Sequence, residues 1–452
     1  MSYLIIDLGT TYFKFSLIDR AGNLVHTSRL PTLVRRSDLG RCEIDVADFE
    51  RTIAEGISSL AQQTGGLNDV DAITFATQSN SFVLLDENYQ AITSIILWPD
   101  DRANGVPPSI SQKNLPKLRA ITGLPAVSGQ FMVAKLEWLK QHDPEVWRKT
   151  HKLCLIGDYL TLLFTGMHVT ELGAAGFTAL VDIHNGQWWS EAISVLQLER
   201  AWLPEIVSAG TDLGTIRDRA AERFRLPRHC RFFVGCFDQY ASPLGVGNFQ
   251  SNIVSETTGT VLASVRCADQ IAVDLDHTVF QGPRPADKGF FRMTFGDVAG
   301  NGLQRYRESL PDRPSFAELD ELAATVPSGT AGMSWNDKHT RAQAVRCLLE
   351  RVAWALAGQI RALSPVDHPT EIRSAGGGAR STLWLQIKAD VLGLPTVATT
   401  CEEPTSLGVA MLAEARRSNA STAQLGDQWV KRGPVHEPNP QSHRVYQSLR
   451  PA

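Results

Sequence analysis

Runs of one charge sign are missing from these 452 residues: 44 Lys and Arg and 48 Asp and Glu are scattered along the chain, for a formal charge of −4. No basic footprint for nucleic acid exists, so no nucleic-acid partner is expected. Long hydrophobic runs are missing too. The chain passes from Met1 straight into an apolar stretch carrying Asp7, with no basic segment beside it. Neither a signal peptide nor a membrane span is predicted, and a cytoplasmic location is the expectation. Cysteine is sparse. The seven (Cys42, Cys154, Cys230, Cys236, Cys267, Cys347, Cys401) are odd in number and lack metal-type pairs, which reads as reduced packing residues, not disulfides or a zinc site. The eleven histidines are equally dispersed, so a protein metal cage is not expected, whereas a nucleotide-bound magnesium is compatible. No Gly-x-x-x-x-Gly-Lys phosphate loop occurs, nor any low-complexity segment.

What is present points to two domains, since 43% apolar content over this length can fill more than one core. Tyr3 to Asp7 and Phe13 to Asp19 read as strands joined by Leu8-Gly9-Thr10-Thr11, and a turn follows at Asp19 to Asn23. Asp71 to Ala76 and Phe82 to Leu85 read as further strands, and Lys135 to Lys140 as part of an amphipathic helix. A second opening of the same kind lies at Asn252 to Val265, where Thr257-Thr258-Gly259-Thr260 joins two strands. The repeat suggests a duplicated core. Val345, Leu349, Val352, Leu356 and Ile360 then fall at helical spacing. A strand at Glu371 to Ala375 leads into Gly376-Gly377-Gly378 and a helix that Ser381 caps and Gly393 ends. The Gly245 to Ser251 stretch predicts the boundary, giving domains 1–247 and 248–452.

Turns of Gly and Thr between strands present backbone N–H groups and hydroxyls that suit phosphate oxygens. Asp7, Thr10, Thr11 and Lys14 form the first candidate site, with a plain hairpin holding a buried aspartate as the structural alternative. Thr257 to Thr260 would form the second. Arg231 to Cys236 is an apolar run that ends at Asp238-Gln239, before a helix expected over Tyr240 to Val246. Asp238 reads either as an N-cap or as a general base that accepts the proton of an attacking hydroxyl. The Gly376-Gly377-Gly378 segment reads equally as an adenine platform or a plain loop.

Taken in order, the Asp7 to Thr11 turn, Leu97-Trp98-Pro99-Asp100-Asp101-Arg102, Lys135-Leu-Glu-Trp138-Leu, Gly157-Asp158-Tyr159, Phe164-Thr165-Gly166, Asp238-Gln239, Thr258-Gly259-Thr260, and Gly376 to Arg380 running to Ala389-Asp390-Val-Leu-Gly393 resemble the FGGY carbohydrate kinases. The resemblance covers most of the chain. It implies an α/β fold of two ribonuclease-H-like domains, of the actin and hexokinase ATPase type, with an interdomain cleft that closes over the phosphoryl donor. It further implies transfer of the γ-phosphoryl group of ATP, with Mg2+, to a hydroxyl of a small sugar such as the ketopentoses xylulose and ribulose. The alternative is a sugar or nucleotide sensor of the same fold that no longer transfers phosphate.

By matching position, Asp238 resembles the catalytic base and Asp7 the magnesium-side carboxylate, with Thr10, Thr11 and Lys14 on the phosphates. Gly259, Thr260, Gly300, Gly377, Gly378 and Ser381 resemble nucleotide contacts. Gln78, Ser79, Asn80, Trp98, Asp100, Gln130 and Gln239 resemble the sugar side. Dimers are frequent in the family, so a homodimer is the implied assembly. Four departures stand out: Gln78-Ser79-Asn80-Ser81 at a substrate-touching position, Pro99 in place of an asparagine, Met132 in place of a small or hydroxyl residue, and a shortened segment between Val326 and Thr340.

Overall fold

The computed structural model describes residues 2–37, 39–105, 108–110, 115–285, 287–330 and 338–449. The opening strand Ser2–Leu8 is buried on both faces, as expected of an apolar run at the centre of a sheet. It pairs antiparallel with Tyr12–Asp19, which pairs antiparallel with Leu24–Pro31. On its other side it runs parallel to Val70–Thr77, which runs parallel to Arg231–Phe233 and Cys236–Phe237. The expected Arg231 to Cys236 strand is therefore broken at Val234 and Gly235. Alternation sorts the opening strand: Leu4, Ile6 and Leu8 meet Phe49, Ile53, Ile57 and Leu60 of helix Val46–Thr64. Tyr3 and Ile5 face the opposite core, and Asp7 shares their side of the strand.

The second sheet repeats this plan. Ile253–Thr258, Leu262–Ala268 and Phe290–Gly296 form an antiparallel meander, and Glu371–Ala375 and Thr396–Thr399 extend it in parallel from Ile253–Thr258. Both sheets have seven strands. In each, three antiparallel strands precede parallel ones, with Phe280–Pro283 added antiparallel at the edge of the second sheet, so the duplication expected from the Thr/Gly turns is present in the topology. The long helix Arg341–Leu363 carries Val345, Leu349, Val352, Leu356 and Ile360 into the second core.

Each sheet's last parallel strand leads to a helix, Asp238–Gly245 in the first half and Pro404–Ser418 in the second. These two helices pack on one another at backbone contact. A Cβ at Gly245 would lie 1.7 Å from the Pro404 carbonyl oxygen, and one at Gly408 would lie 2.0 Å from that of Ala241. The core here is continuous across the halves, joining Tyr3, Ile5, Ala76 and Phe237 to Leu407, Ala410, Met411 and Trp429. Of the shortened segment between Val326 and Thr340, residues 331–337 lie outside the described residues. Among the described residues no helix is long and apolar enough to cross a membrane.

Candidate active site

Parallel strands place their carboxyl ends together, and ligand sites in such sheets lie beyond those ends. Asp7 is the penultimate residue of the opening strand. Across the antiparallel register it stands opposite Lys14, and Lys14 opposite Arg29. Lys14 Nζ lies 3.5 Å from Asp7 Oδ2 and 2.8 Å from Glu403 Oε2, and the Arg29 guanidinium binds the other Glu403 oxygen. Burial raises the Asp7 pKa and Glu403 adds to the rise, while Lys14 opposes it. Burial also works against the Lys14 ammonium, but Asp7 and Glu403 outweigh it and raise its pKa. Asp7 is thus a buried strand residue facing a cation across the hairpin. From Arg29 an open groove of ≈ 680 Å3 continues between the halves, walled by Gly22 to Thr27 on one side and by Arg380, Thr400 to Glu402 and Lys431 on the other.

Asp238 arrives at the end of the strand next but one, across Val70–Thr77. Cys236 and Phe237 pair with Ala76 and Thr77, and helix Asp238–Gly245 starts on the next residue, with Phe237 in the N-cap position. The N-cap reading of Asp238 is therefore replaced: it is the first helical residue, and its Oδ1 is buried with no hydrogen-bond partner among the described residues. Burial pushes the carboxyl up to about 7, the Asp7 charge adds to this, and hydrogen bonds from Gln239 pull it back. A carboxyl held near neutrality with an unused oxygen can accept a proton from a hydroxyl. Glu171 braces the junction from behind. Its buried carboxylate accepts the N–H groups of Gly173 at 2.6 Å, Ala174 at 2.8 Å and Phe237 at 3.2 Å, and burial lifts its pKa to about 7.

Beside these carboxyls, Thr10, Gln78 and Trp98 are brought together. The Trp98 indole N–H donates to Thr10 Oγ1 at 2.9 Å. The Gln78 amide oxygen accepts from Thr10 at 3.4 Å and Ser81 at 3.0 Å, and Ser81 Oγ accepts the Trp98 N–H at 2.9 Å. Trp98 remains 37% exposed, a face on which a sugar ring can lie. Lys135, wholly buried, holds this strand end by donating to the Leu97 and Trp98 carbonyls at 2.7 and 2.8 Å, and burial lowers its pKa to about 7. Thr11 and Gln130 are exposed and Gln239 is half-buried.

Three expected sugar contacts are turned inward instead. Ser79 Oγ donates to the Ala174 carbonyl at 2.7 Å. Asn80 holds a left-handed φ of 60°, donates to the Phe177 carbonyl at 3.0 Å and accepts the Met132 N–H at 2.9 Å. Asp100 is fully buried, accepting from Arg102 Nε at 2.7 Å and the Cys42 N–H at 2.6 Å. These bonds lower its pKa against the burial that would raise it. All three are spent on holding neighbouring backbone and side chains.

In the second half Thr257 stands opposite Ala375, so the Thr258-Gly259 and Gly376-Gly377 turns leave the sheet side by side. Gly376 takes φ of 77° and passes so close that a Cβ would lie 2.9 Å from the Thr258 carbonyl oxygen; a side chain at that φ is strained besides. Gly378 packs on the Thr258 side chain, Gly300 opens helix Gly300–Ser309 against the Gly259 carbonyl, and Gly259 and Gly377 face open space. Thr260 is exposed at the tip. Underneath is a buried ion pair: Lys388 Nζ donates to Glu256 Oε1 at 2.5 Å and to Thr258 Oγ1 at 3.0 Å, and Thr258 Oγ1 donates to Glu256 Oε2 at 2.6 Å. Ser381 caps helix Thr382–Leu392 by accepting the Trp384 N–H at 2.9 Å.

Sequence reasoning missed Glu403, Glu171, Lys388 and Glu256 and gave Lys135 no role. A signal for Glu403 existed in the duplication, because an acid at the start of the helix after the last parallel strand is what marks Asp238.

Two like halves, each with a Thr/Gly turn after its first strand, and with the Asp7 and Asp238 carboxyls close enough to interact, fit a phosphotransferase of the actin and hexokinase type. The description of the FGGY family of carbohydrate kinases, N-terminal domain, matches residues 2–245, and that of its C-terminal domain matches residues 320–416. The chain belongs to the FGGY family of carbohydrate kinases and is an ATP-dependent sugar kinase, not a sensor that has lost transfer. It is 28% identical to the xylulose kinase of Lactococcus lactis subsp. lactis (strain IL1403), over 91% of this chain and 87% of that one. It is 26% identical to the L-fuculokinase of Salmonella typhi, over 90% and 91%. The ligand-bound crystal structure of xylulose kinase from Lactobacillus acidophilus superposes with a TM-score of 0.89 at 23% identity, covering 99% of this chain and 96% of that one.

Proposed function

We propose that this kinase phosphorylates a ketopentose, xylulose before ribulose. Support for the sugar comes from the xylulose kinases among its relatives, including those of Lactococcus lactis and Bacillus subtilis (strain 168). Support for the chemistry comes above all from one observation, the near-neutral Asp238 carboxyl beside Asp7, whose Oδ1 has no partner among the described residues. In this reading Asp238 orients the sugar hydroxyl and takes its proton late, while clamping of the phosphates supplies most of the acceleration. Thr10, Thr11 and Lys14 meet the phosphates from residues 1–247; Gly259, Thr260 and Gly300 meet them from residues 248–452, with Gly377, Gly378 and Ser381 toward the adenosine. Gln78, Trp98, Gln130 and Gln239 line the sugar side.

Among the described residues no cluster of three acidic, histidine or cysteine groups forms a metal cage. A hydrated Mg2+ needs only one or two carboxylates besides the phosphates, and the surplus acid of Asp7 and Asp238 fits it; such an ion, held on the Asp7 side, would neutralise phosphate charge. A homodimer and a cytoplasmic location belong to the same proposal. ADP release measured over a panel of ketoses, aldonates and polyols tests it. One ketopentose should dominate, and Asp238→Asn should lower its kcat about 10²–10⁴-fold while leaving nucleotide affinity near wild type. Preference for a polyol or aldonate would overturn the substrate, and near-normal turnover by the variant would overturn the base.

A further inference from the structure

The duplication assigns Glu403 a place. In the first half the last parallel strand leads to Asp238 and its helix; in the second, Thr396–Thr399 leads through Thr400 to Glu402 to Glu403 and helix Pro404–Ser418. The two helices are locked together at Gly245 and Gly408, so both carboxylates ride on one rigid unit. Glu403 is the N-cap residue, yet its side chain makes no capping bond. It is 2% exposed and spends both oxygens on cations of the other half, Lys14 at 2.8 Å and Arg29. A carboxylate at a helix N-terminus is favoured electrostatically, and the backbone that carries it is placed by the packing of helix Pro404–Ser418.

We propose that Glu403 is a positioning residue for phosphoryl transfer, holding the Lys14 ammonium from the opposite half so that the cation meeting the phosphates stands in a fixed place when the crevice fills. The proposal rests on the reading of Lys14 as a phosphate contact. A lysine is a flexible point charge, and Asp7 alone, at 3.5 Å, leaves it free to swing toward solvent. Electrostatic stabilisation of a transition state depends on charges that do not have to reorganise.

Steady-state kinetics with ATP and the preferred sugar test this in Glu403→Gln, Glu403→Asp, Lys14→Met and the Lys14→Met/Glu403→Gln double variant. Glu403→Gln should lower kcat about tenfold or more without raising KM for ATP, since it removes a negative charge near the phosphates. Glu403→Asp, one methylene shorter with the charge retained, should recover part of kcat. In the Lys14→Met background Glu403→Gln should change kcat less than twofold, because its effect passes through Lys14. Equal losses in both backgrounds would overturn the proposal, as would a lowered melting temperature with kcat intact. If Glu403→Gln does not fold, Glu403→Asp with kcat unchanged overturns it and with kcat reduced supports it. If Lys14→Met is itself fully active, the reading of Lys14 fails; if Lys14→Met is impaired and Glu403→Gln is not, only the positioning role fails.

Discussion

The carboxyl proposed to take the hydroxyl proton is kept where ionising it is unfavourable, and this has a cost to the fold. The Asp238 pKa is raised from 3.8 to about 7 by burial and then by Asp7. In the metal-free and nucleotide-free protein the folded state therefore holds a proton that the unfolded chain releases near pH 3.8. Stability is unaffected below that pH, falls as pH rises from there to about 7, and stays lowered above. Asp238→Asn escapes this loss. The inactive variant should be more stable than wild type by on the order of 2–4 kcal/mol above pH 7, with the advantage shrinking toward zero as pH falls to 4; urea titrations at several pH values check it. Ser79 makes the opposite case. Its hydroxyl serves the Ala174 carbonyl, so Ser79→Ala should cost about 1 kcal/mol and leave the ranking of sugars unchanged in the ADP-release panel. Asp7, Asp238 and Lys14 could be singled out because each lies within two residues of a strand end, a local signal. Ser79 and Asn80 are placed on the sugar side by matching position, which does not tell an exposed polar residue from an inward-facing one, and the groups they serve lie 52 to 97 residues away. Glu403 is 389 residues from Lys14, and no local pattern announces that pairing.

Elements were read more surely than the contacts between them. The meander strands, the Arg341–Leu363 helix and the Ser381 cap follow from periodicity and capping chemistry that act within one turn or one strand. The crossing of Asp238–Gly245 on Pro404–Ser418 does not, since a helical glycine can mean tolerance or necessity. The structure separates the two. At Gly408 an added Cβ would stand 2.0 Å from the Ala241 carbonyl oxygen, and at Gly358, inside Arg341–Leu363, the nearest atom would be 3.9 Å away on the flexible Arg361 guanidinium. Gly408→Ala should destabilise by about 3 kcal/mol or more, because a backbone obstacle cannot turn aside, and should lower kcat by moving the helix starts that carry Asp238 and Glu403. Gly358→Ala should stabilise by about 0.5–1 kcal/mol with kcat unchanged. Urea midpoints and kcat for the pair check both; equal effects at the two sites would mean that the helix crossing is loose.

At the scale of the molecule, division by function and division by folding part company. Composition and length suggested separate cores for residues 1–247 and 248–452, and the proposed sugar-side residues all fall before that line while the proposed phosphate contacts fall on both sides of it. The packing does not. The face of the first sheet that carries Asp7 is covered by helices Pro404–Ser418 and Thr422–Trp429 from the other side of the boundary. Tyr3, wholly buried, lies 6.1 Å from the Trp429 ring, and its hydroxyl donates to Glu414. Cutting the chain at 247 would bare Tyr3, Ile5, Ala76, Phe237 and Leu244 at once. Burial of each large apolar side chain contributes about 1.5–3 kcal/mol, and a domain's net stability is only about 5–15 kcal/mol, so this exposure alone can exhaust it. The fragment 1–247 should therefore lack near-UV circular dichroism and a cooperative unfolding transition. The intact chain should unfold in one calorimetric transition that rises when ATP and sugar bind together, since ligands bridging the crevice select the folded, closed form. A fragment that unfolds cooperatively near the melting temperature of the whole chain would show that the shared core is a surface contact, and Asp238 and Glu403 would then ride on parts free to move apart.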